Sequence, residues 1–534
     1  AGVPARAKGA RGVIVSFLHA WRDDAHEAAV KAEIARLAPD LFVFASSEVW
    51  PVIREYERTT TAILNGYVHP RIEGYLSALE NRLASRGVQA RAMLTKSNGG
   101  VMNADEGKRA CVNMLLSGAA SGVIGAAWLA RQAGETRVLT LDVGGTSADF
   151  ALIVDGQPQF GFGEMIGEFP LYIPSVSVSS IGVGGGSIAS LDAQGVLRVG
   201  PESAGSTPGP ACYGRGGEQA TITDAMVVCG WLGHSEMAYG QLTMDAALAR
   251  AAVGRIAERL GRSVDATAQA IIDIAISELF AEVEKMASRA GVDLRDFTLM
   301  PFGGGGPMLG ALLARELQMK RMMAARRPGV VSALGGLVAD LRGDFIRTLF
   351  AQMTPALLPD LRAALAAMEA EGRAWLAAQG HQGPVALALF ADMRYAGQSY
   401  EIEVALQPAW LDGGDLDVIA RAFHETHARL YDFDDTEGRI EIVNLRLSAI
   451  GAGPSLETAA QDEIEMRARP ERRLDVFVGT RRVEVGLHRR EALLAGCVLD
   501  GPAVIAQEDT TLVIPEGTAA RVDRNLNLHL TFAE

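Results

Sequence analysis

The chain has 534 residues, 64 acidic against 50 basic side chains for a formal net charge of −14, and 49% apolar residues. That length predicts two to four domains with a sizeable core, and the acidic balance argues against a nucleic-acid or anionic-membrane partner. Four scattered cysteines without C-x-x-C spacing (Cys111, Cys212, Cys229, Cys497), no apolar run of membrane-spanning length and no signal peptide point to a reducing, cytoplasmic setting without structural zinc.

Gly12 to Leu18 reads as a strand, Asp23 to Leu37 as a helix and Leu41 to Ala45 as the next strand, a β-α-β unit implying a parallel sheet. The chain opens without Met, in a polar Ala/Gly/Arg stretch that runs straight into the first strand, so a segment is expected upstream. Glu55 to Ala84 predicts a long helix broken near His69-Pro70. Its start, Arg54 to Thr61, is dense in charges and hydroxyls; it fits a solvated helix with i,i+4 ion pairs and a cleft-lining helix equally well. Ala90 to Thr95 is a strand ending in Lys96-Ser97-Asn98-Gly99-Gly100, the kind of strand end where α/β sheets bind ligands. Asn103 can cap the helix that follows, and Val112 to Arg131 is rich in small residues that let it pack closely on a sheet.

The chain is organised around Leu139 to Phe150. Leu139 to Asp142 reads as a buried strand, Gly144 and Gly145 break it, Thr146, Ser147 and Asp149 follow, and Phe150 to Val154 runs back to a turn at Asp155-Gly156. Glycines at a strand end let backbone N–H groups approach an anion, the two hydroxyls add donors, and Asp142 can hold a metal-bound water. An ordinary tight hairpin is the plainer alternative; the carboxylates of Asp142 and Asp149 on either side of the glycines favour a phosphate loop for ATP. No Gly-Lys-Ser/Thr follows, so this is not a Walker A loop. A second glycine loop, Gly182 to Ser187 with Gly184, Gly185 and Gly186, follows a β-rich run from Leu171 to Val178. Gly200 to Gly214 is a long loop stiffened by three prolines and Tyr213, and Asp224 behind it either caps the next helix or serves as a cleft carboxylate. Two helical patterns fill Ala247 to Ala290. The strand Phe297 to Pro301 then enters Gly303, Gly304, Gly305 and Gly306 ahead of a helix, Met308 to Glu316, whose N-terminus adds partial positive charge. Pro328-Gly329 precedes a helix expected over Val330 to Leu341.

Beyond about Asp344 the pattern becomes α+β. Thr354 to Gln379 and Leu416 to Leu430 are helical; Ala386 to Tyr395, Ser399 to Leu406, Ile440 to Ile450 and much of Arg473 to Phe532 read as strands. His424 and His427, three apart on a helix face, are possible metal ligands, although Glu425 is placed unlike H-E-x-x-H.

The hairpin resembles the phosphate hairpins of the actin, sugar-kinase and heat-shock-chaperone ATPases. The whole set resembles the ATP-binding A-type subunit of the hydantoinase/oxoprolinase family, through Arg54 to Val68, Lys96 to Gly100, Leu139 to Phe150, Ile181 to Ser187 and Val199 to Gly214. The match continues through Thr221 to Ala225, Phe302 to Pro307, Arg327 to Thr348, Met393 to Glu403 and Glu441 to Leu447. The resemblance implies an α/β, actin-like (ribonuclease H-like) ATPase core with an α+β C-terminal domain. Residues 1–138 would be the remainder of a first lobe, 139–345 a second lobe with the phosphate hairpin and glycine loops, and 346–534 the C-terminal domain. It implies ATP and Mg²⁺ as cofactors, held by Gly144, Gly145, Thr146, Ser147, Gly184, Gly185, Gly186, Gly303, Gly304 and Gly305. Asp142 and Asp149 would be the catalytic carboxylates, Asp142 also organising the metal. The implied activity is ATP-dependent hydrolytic opening of a cyclic amide, within a hetero-oligomer that includes a B-type subunit. An acetone- or acetophenone-type carboxylase subunit and a catalytically silent scaffold are the alternatives. Three features depart from the family pattern. Its usual first phosphate loop is absent, and Ser177-Val178-Ser179 replaces the customary Asp-x-His. Leu309 stands where a histidine is usual, so no transition metal is expected there.

Overall fold

The structure is a computed structural model and describes residues 9–161, 164–234, 243–457 and 459–533; the polar opening stretch, residues 1–8, lies outside them. The chain divides into two units, each assembled from three separate segments: residues 1–121, 160–176 and 336–454 in one, and 122–159, 177–335 and 455–534 in the other.

The second unit is built on the central hairpin. Val138–Val143 is apolar apart from Thr140 and Asp142, and it is buried on both faces, as strands in the middle of a covered sheet are. It pairs antiparallel with Ala148–Val154, which pairs antiparallel with Ser179–Ile181. On its other side Thr298–Phe302 runs parallel to it and Arg321–Ala324 runs parallel in turn, which is the ribonuclease H-like order. Leu528–Phe532, Thr518–Val522, Cys497–Asp500 and Met466–Arg467 extend the same sheet, so C-terminal residues complete a sheet begun some 350 positions earlier. Of two capped helices beside it, Val264–Ala290 packs on strand Ser179–Ile181 and Ala246–Leu260 packs on that helix. Ala246–Leu260 starts at Asp245, whose carboxylate accepts from the N–H groups of Ala247 and Leu248. Val264–Ala290 starts at Ser263, and each helix ends on a left-handed glycine, Gly261 and Gly291.

The first unit holds a six-stranded sheet in the order Ile402–Leu406, Val385–Tyr395, Ile440–Gly451, Leu341–Gln352, Val101–Asn103, Met93–Thr95. Helices Leu358–Ala378 and Leu416–Tyr431 pack their apolar faces on it. Gly12–Val15 and Phe42–Ala45 pair in parallel across helix Ala25–Leu37, the expected β-α-β unit. Asn103 caps Ala104–Arg109 by accepting from the N–H of Glu106.

Some expectations are corrected. Helix Glu55–Ser85 continues through Pro70. Losing one hydrogen bond and kinking at proline costs about 3 kcal/mol, which is offset by burial on the N-terminal side of Pro70, from Arg58 to Gly66, and of Leu76 beyond it. Arg54 to Thr61 is not a solvated face: Arg58 is fully buried, and its guanidinium donates to Ser46 Oγ and to the carbonyls of Val52 and Phe17. The helix expected over Val330 to Leu341 stops at Val338, because Leu341 begins a twelve-residue strand. Strand Leu197–Ser203 claims the first residues of the loop read from Gly200. The four cysteines are free and buried. No helix among the described residues is long and apolar enough to cross a membrane.

Candidate functional site

Three glycine segments, separate in sequence, meet at one end of the second unit's sheet. Asp142 and Asp149 face each other across the two strands of the hairpin. The turn is closed by the Gly144 N–H donating to Ser147 O at 3.0 Å. The loop after Ser179–Ile181 lies directly on it: Gly185 N–H donates to Gly144 O (3.0 Å) and Gly186 N–H to Gly145 O (2.7 Å). Only glycine permits this approach. A Cβ on Gly184 would stand 2.7 Å from Gly145 C and from Thr146 N, and 2.8 Å from Ser147 N. Thr223 braces the second loop by donating through N (2.9 Å) and Oγ1 (2.7 Å) to Gly185 O.

The third segment approaches from the parallel neighbour. Thr298–Phe302 delivers Gly303 with φ +75°, where a Cβ would be 2.3 Å from Asp142 Oδ1, and Gly305 N–H donates to Val143 O at 2.9 Å. Helix Gly306–Glu316 begins at once, so its N-terminal N–H groups and dipole open toward the same place. All twelve residues read from the sequence as cofactor-binding or catalytic belong to these three segments.

The chemistry of this end suits an anion with a cation beside it. None of the backbone hydrogen bonds among the described residues uses the N–H of Gly145 or Thr146, and both residues are exposed at the hairpin tip. Burial, and then the charge of Asp149, pushes the Asp142 carboxyl up to about 6, against a weak opposing hydrogen bond from Ser332 Oγ (3.5 Å). A carboxylate held at such a value is one that a bound cation would stabilise in its charged form.

Several residues had no readable signal. The turn Gln507 to Thr510 reaches back to these loops: Thr510 Oγ1 donates to Gly304 O (2.8 Å), and Gly329 N–H donates to Asp509 Oδ2 (3.0 Å). Gln507 Nε2 donates to Arg326 O (3.0 Å). The partners are about 180 to 206 positions apart, and no local pattern encodes such a pairing.

Other candidates are structural. Asp224 forms a capping box with Thr221 and also accepts from the N–H groups of Ala211 (3.1 Å) and Cys212 (2.7 Å), so it anchors the Gly205 to Gly214 loop. His424 and His427 are engaged by neighbours: His424 Nδ1 shares a hydrogen bond with the Tyr395 hydroxyl (2.7 Å), while buried His427 pairs with Gln398 (3.1 Å) and Phe433 O (2.8 Å). Ser177 is exposed, the Ser179 hydroxyl donates to Glu282 Oε1 (2.7 Å), and Leu309 is wholly buried core. Among the described residues no group of three or more His, Cys, Asp or Glu is arranged to hold a metal ion. Burial raises the Cys111 thiol to about 11 and Cys229 to about 12, which removes them as nucleophiles at neutral pH.

A ribonuclease H-like sheet whose strand ends carry a glycine hairpin and two further glycine loops defines an α/β fold of the ATPase type. Comparison with known proteins places it further. A hydantoinase/oxoprolinase model matches residues 58–345, and the model of that family's C-terminal domain matches 356–533. The chain is 30% identical over 530 residues to the caprolactamase subunit alpha of Pseudomonas jessenii, covering 98% of this chain and 76% of that one. A solved structure of ATP-dependent caprolactamase from the same organism superposes with a TM-score of 0.84 at 29% identity, over 99% of this chain and 78% of that one. A nucleotide-free structure of acetone carboxylase superposes with a TM-score of 0.79 at 26% identity, over 100% and 78%. The chain belongs to the hydantoinase/oxoprolinase family, whose members are ATP-dependent cyclic amide hydrolases and carboxylases.

Proposed function

We propose that this chain is the ATP-binding subunit of an enzyme that opens a cyclic amide by hydrolysis. The observation that carries the reading is the meeting of three glycine surfaces on one carboxylate, in a chain whose relatives include an ATP-dependent caprolactamase. The residues suit the nucleotide: side chains at Gly184 or Gly303 would fill the cradle, and the tip N–H groups are unspent. ATP with Mg²⁺, when bound, would supply the phosphoryl group whose transfer to the amide oxygen makes the ring carbonyl carbon electrophilic enough for water to attack.

The chain's own residues do the positioning. The N–H groups of Gly145 and Thr146, with the Thr146 and Ser147 hydroxyls, donate to phosphate oxygens. Asp142 is the carboxylate that would hold a nucleotide-bound cation, and Asp149 would add negative charge beside it. Gly303 to Gly305 would let a nucleotide approach the main chain, and the N-terminus of helix Gly306–Glu316 would add favourable partial charge for its phosphates. A B-type partner subunit completes the hydrolysis, in keeping with the relative's designation as a subunit alpha. The likeness to acetone carboxylase supports a second reading, in which the same phosphate chemistry activates a ketone or bicarbonate.

The deciding experiment assays the chain with its partner subunit for ATP-dependent phosphate release. Stimulation by ε-caprolactam, hydantoin or 5-oxoproline is expected. Stimulation only by acetone with bicarbonate transfers the assignment to the carboxylase reading. No nucleotide binding by calorimetry would leave a silent scaffold.

A further inference from the structure

The strand end at Lys96, singled out by sequence and unused by the nucleotide site, opens into a cavity of about 610 Å³ in the first unit. Its volume is that of a small-molecule pocket. Three of the chain's six tryptophans, Trp21, Trp50 and Trp375, stand in its wall. The indole N–H groups of Trp21 and Trp50 are buried and have no hydrogen-bond partner among the described residues. Because those donor atoms have essentially no accessible surface, the two indole side chains meet the cavity with ring carbon rather than with an N–H.

Lys96 is 5% exposed. Among the described residues its ammonium donates one hydrogen bond, to Arg342 O at 2.7 Å, and it stands 5.2 Å from the centre of the Trp375 ring. Two of its N–H groups remain for a ligand. Burial lowers its pKa, the nearby Asp344 opposing, so the proton is held less firmly than on a surface lysine. Asp344 does not compete for it at hydrogen-bond range, since Arg342, Asn98 and Ser448 occupy its oxygens. Asn113 and Glu106 add a donor and acceptors to the lining. Three basic residues face five acidic ones across the whole wall, a balance that disfavours an anionic ligand.

A compact, neutral ring with one strong acceptor, one donor and apolar carbon fits these demands. We propose that this cavity binds the ring of a neutral cyclic amide, with Lys96 donating to its carbonyl oxygen, Glu106 or Asn113 meeting its N–H, and the tryptophans supplying the apolar walls. The assignment rests on the reading of the chain as acting on cyclic amides; it names the residues that select them.

The test uses the full chain, titrated with ε-caprolactam, hydantoin and 5-oxoproline, with and without ATP and Mg²⁺, and read by intrinsic tryptophan fluorescence and calorimetry. Saturable one-site binding of the neutral amides is expected with a change in fluorescence, and at least tenfold weaker binding of the carboxylate-bearing 5-oxoproline. Lys96→Met and Trp375→Leu should each weaken the neutral amides at least tenfold, with Lys96→Arg restoring part of the loss. Asp142→Asn, which disables only the nucleotide end, should leave nucleotide-free titrations unchanged, so failure of the nucleotide reading and failure of this one give different results. No saturable binding to the wild-type chain, equal binding of 5-oxoproline, or unchanged affinity in both variants overturns the proposal.

Discussion

Substituting alanine at Gly184 tests whether the hairpin and the second glycine loop form one rigid unit. The added Cβ would meet three backbone atoms at 2.7, 2.7 and 2.8 Å, with no flexible side chain to give way. Carbon contacts sit at about 3.5 Å or more, so the two loops must part by about 0.8 Å. Overpacking of this kind costs about 1–3 kcal/mol. Parting also stretches the Gly185-to-Gly144 and Gly186-to-Gly145 hydrogen bonds, each worth about 1 kcal/mol. If both bonds are lost, a total of about 3–5 kcal/mol follows, together with a hairpin tip displaced far enough to lower turnover by about a hundredfold. The control is Gly145→Ala one loop away, where the new Cβ meets nothing within 4 Å. Equilibrium urea unfolding and ATP calorimetry on both variants measure the difference. If Gly184→Ala unfolds at the same urea concentration as Gly145→Ala and binds ATP equally well, the packing argument is wrong.

Asp142 makes stability fall as pH rises from about 4 to about 6, because its folded carboxyl titrates near 6 while the unfolded chain releases that proton near 4. Asp142→Asn should flatten this segment of the pH–stability curve and stabilise the chain at pH 7.5, yet weaken Mg²⁺-ATP binding; an unchanged slope would refute the assignment. In the wild type, Mg²⁺-ATP affinity should rise as pH passes upward through about 6. Gly304 is exposed, with only Asp509 O as near as 4.0 Å to an added Cβ, so Gly304→Val should leave the urea midpoint in place and reduce nucleotide affinity. Fully buried Glu27 accepts from the N–H groups of Phe17 and Ser47 and from the hydroxyls of Ser46 and Ser47, all at 2.7–2.9 Å. Burial raises its pKa, but these four donors together bring it below the ordinary value. Its contribution is therefore lost as pH falls through the carboxylate range, and Glu27→Gln should cost about 2 kcal/mol at neutral pH by urea titration.

Much of this molecule is written locally. The hairpin from Leu139 to Val154 was legible because a buried strand, a pair of glycines and a turn at Asp155-Gly156 are each short-range signals, and both turn residues adopt positive φ. Asn103 as a cap and the β-α-β unit at Gly12 to Ala45 follow from neighbours a few positions apart. What lies beyond that range was decided by packing. Pro70 sits inside a helix because buried residues on both sides hold it there, overriding a local preference for a break. Asp224 could be read as a cap or as a cleft carboxylate until the fold brought the Ala211 and Cys212 N–H groups to it. The meeting of Gly184, Gly303 and Asp142 depends on sheet order, which places Thr298–Phe302 next to a strand some 160 positions earlier. The bracing of Gly304 by Thr510 and the tryptophan-walled cavity at Lys96 arise the same way. Residue types and short spacings carry the chemistry a segment can perform, whereas which segments share a site depends on long-range burial that no window along the chain contains.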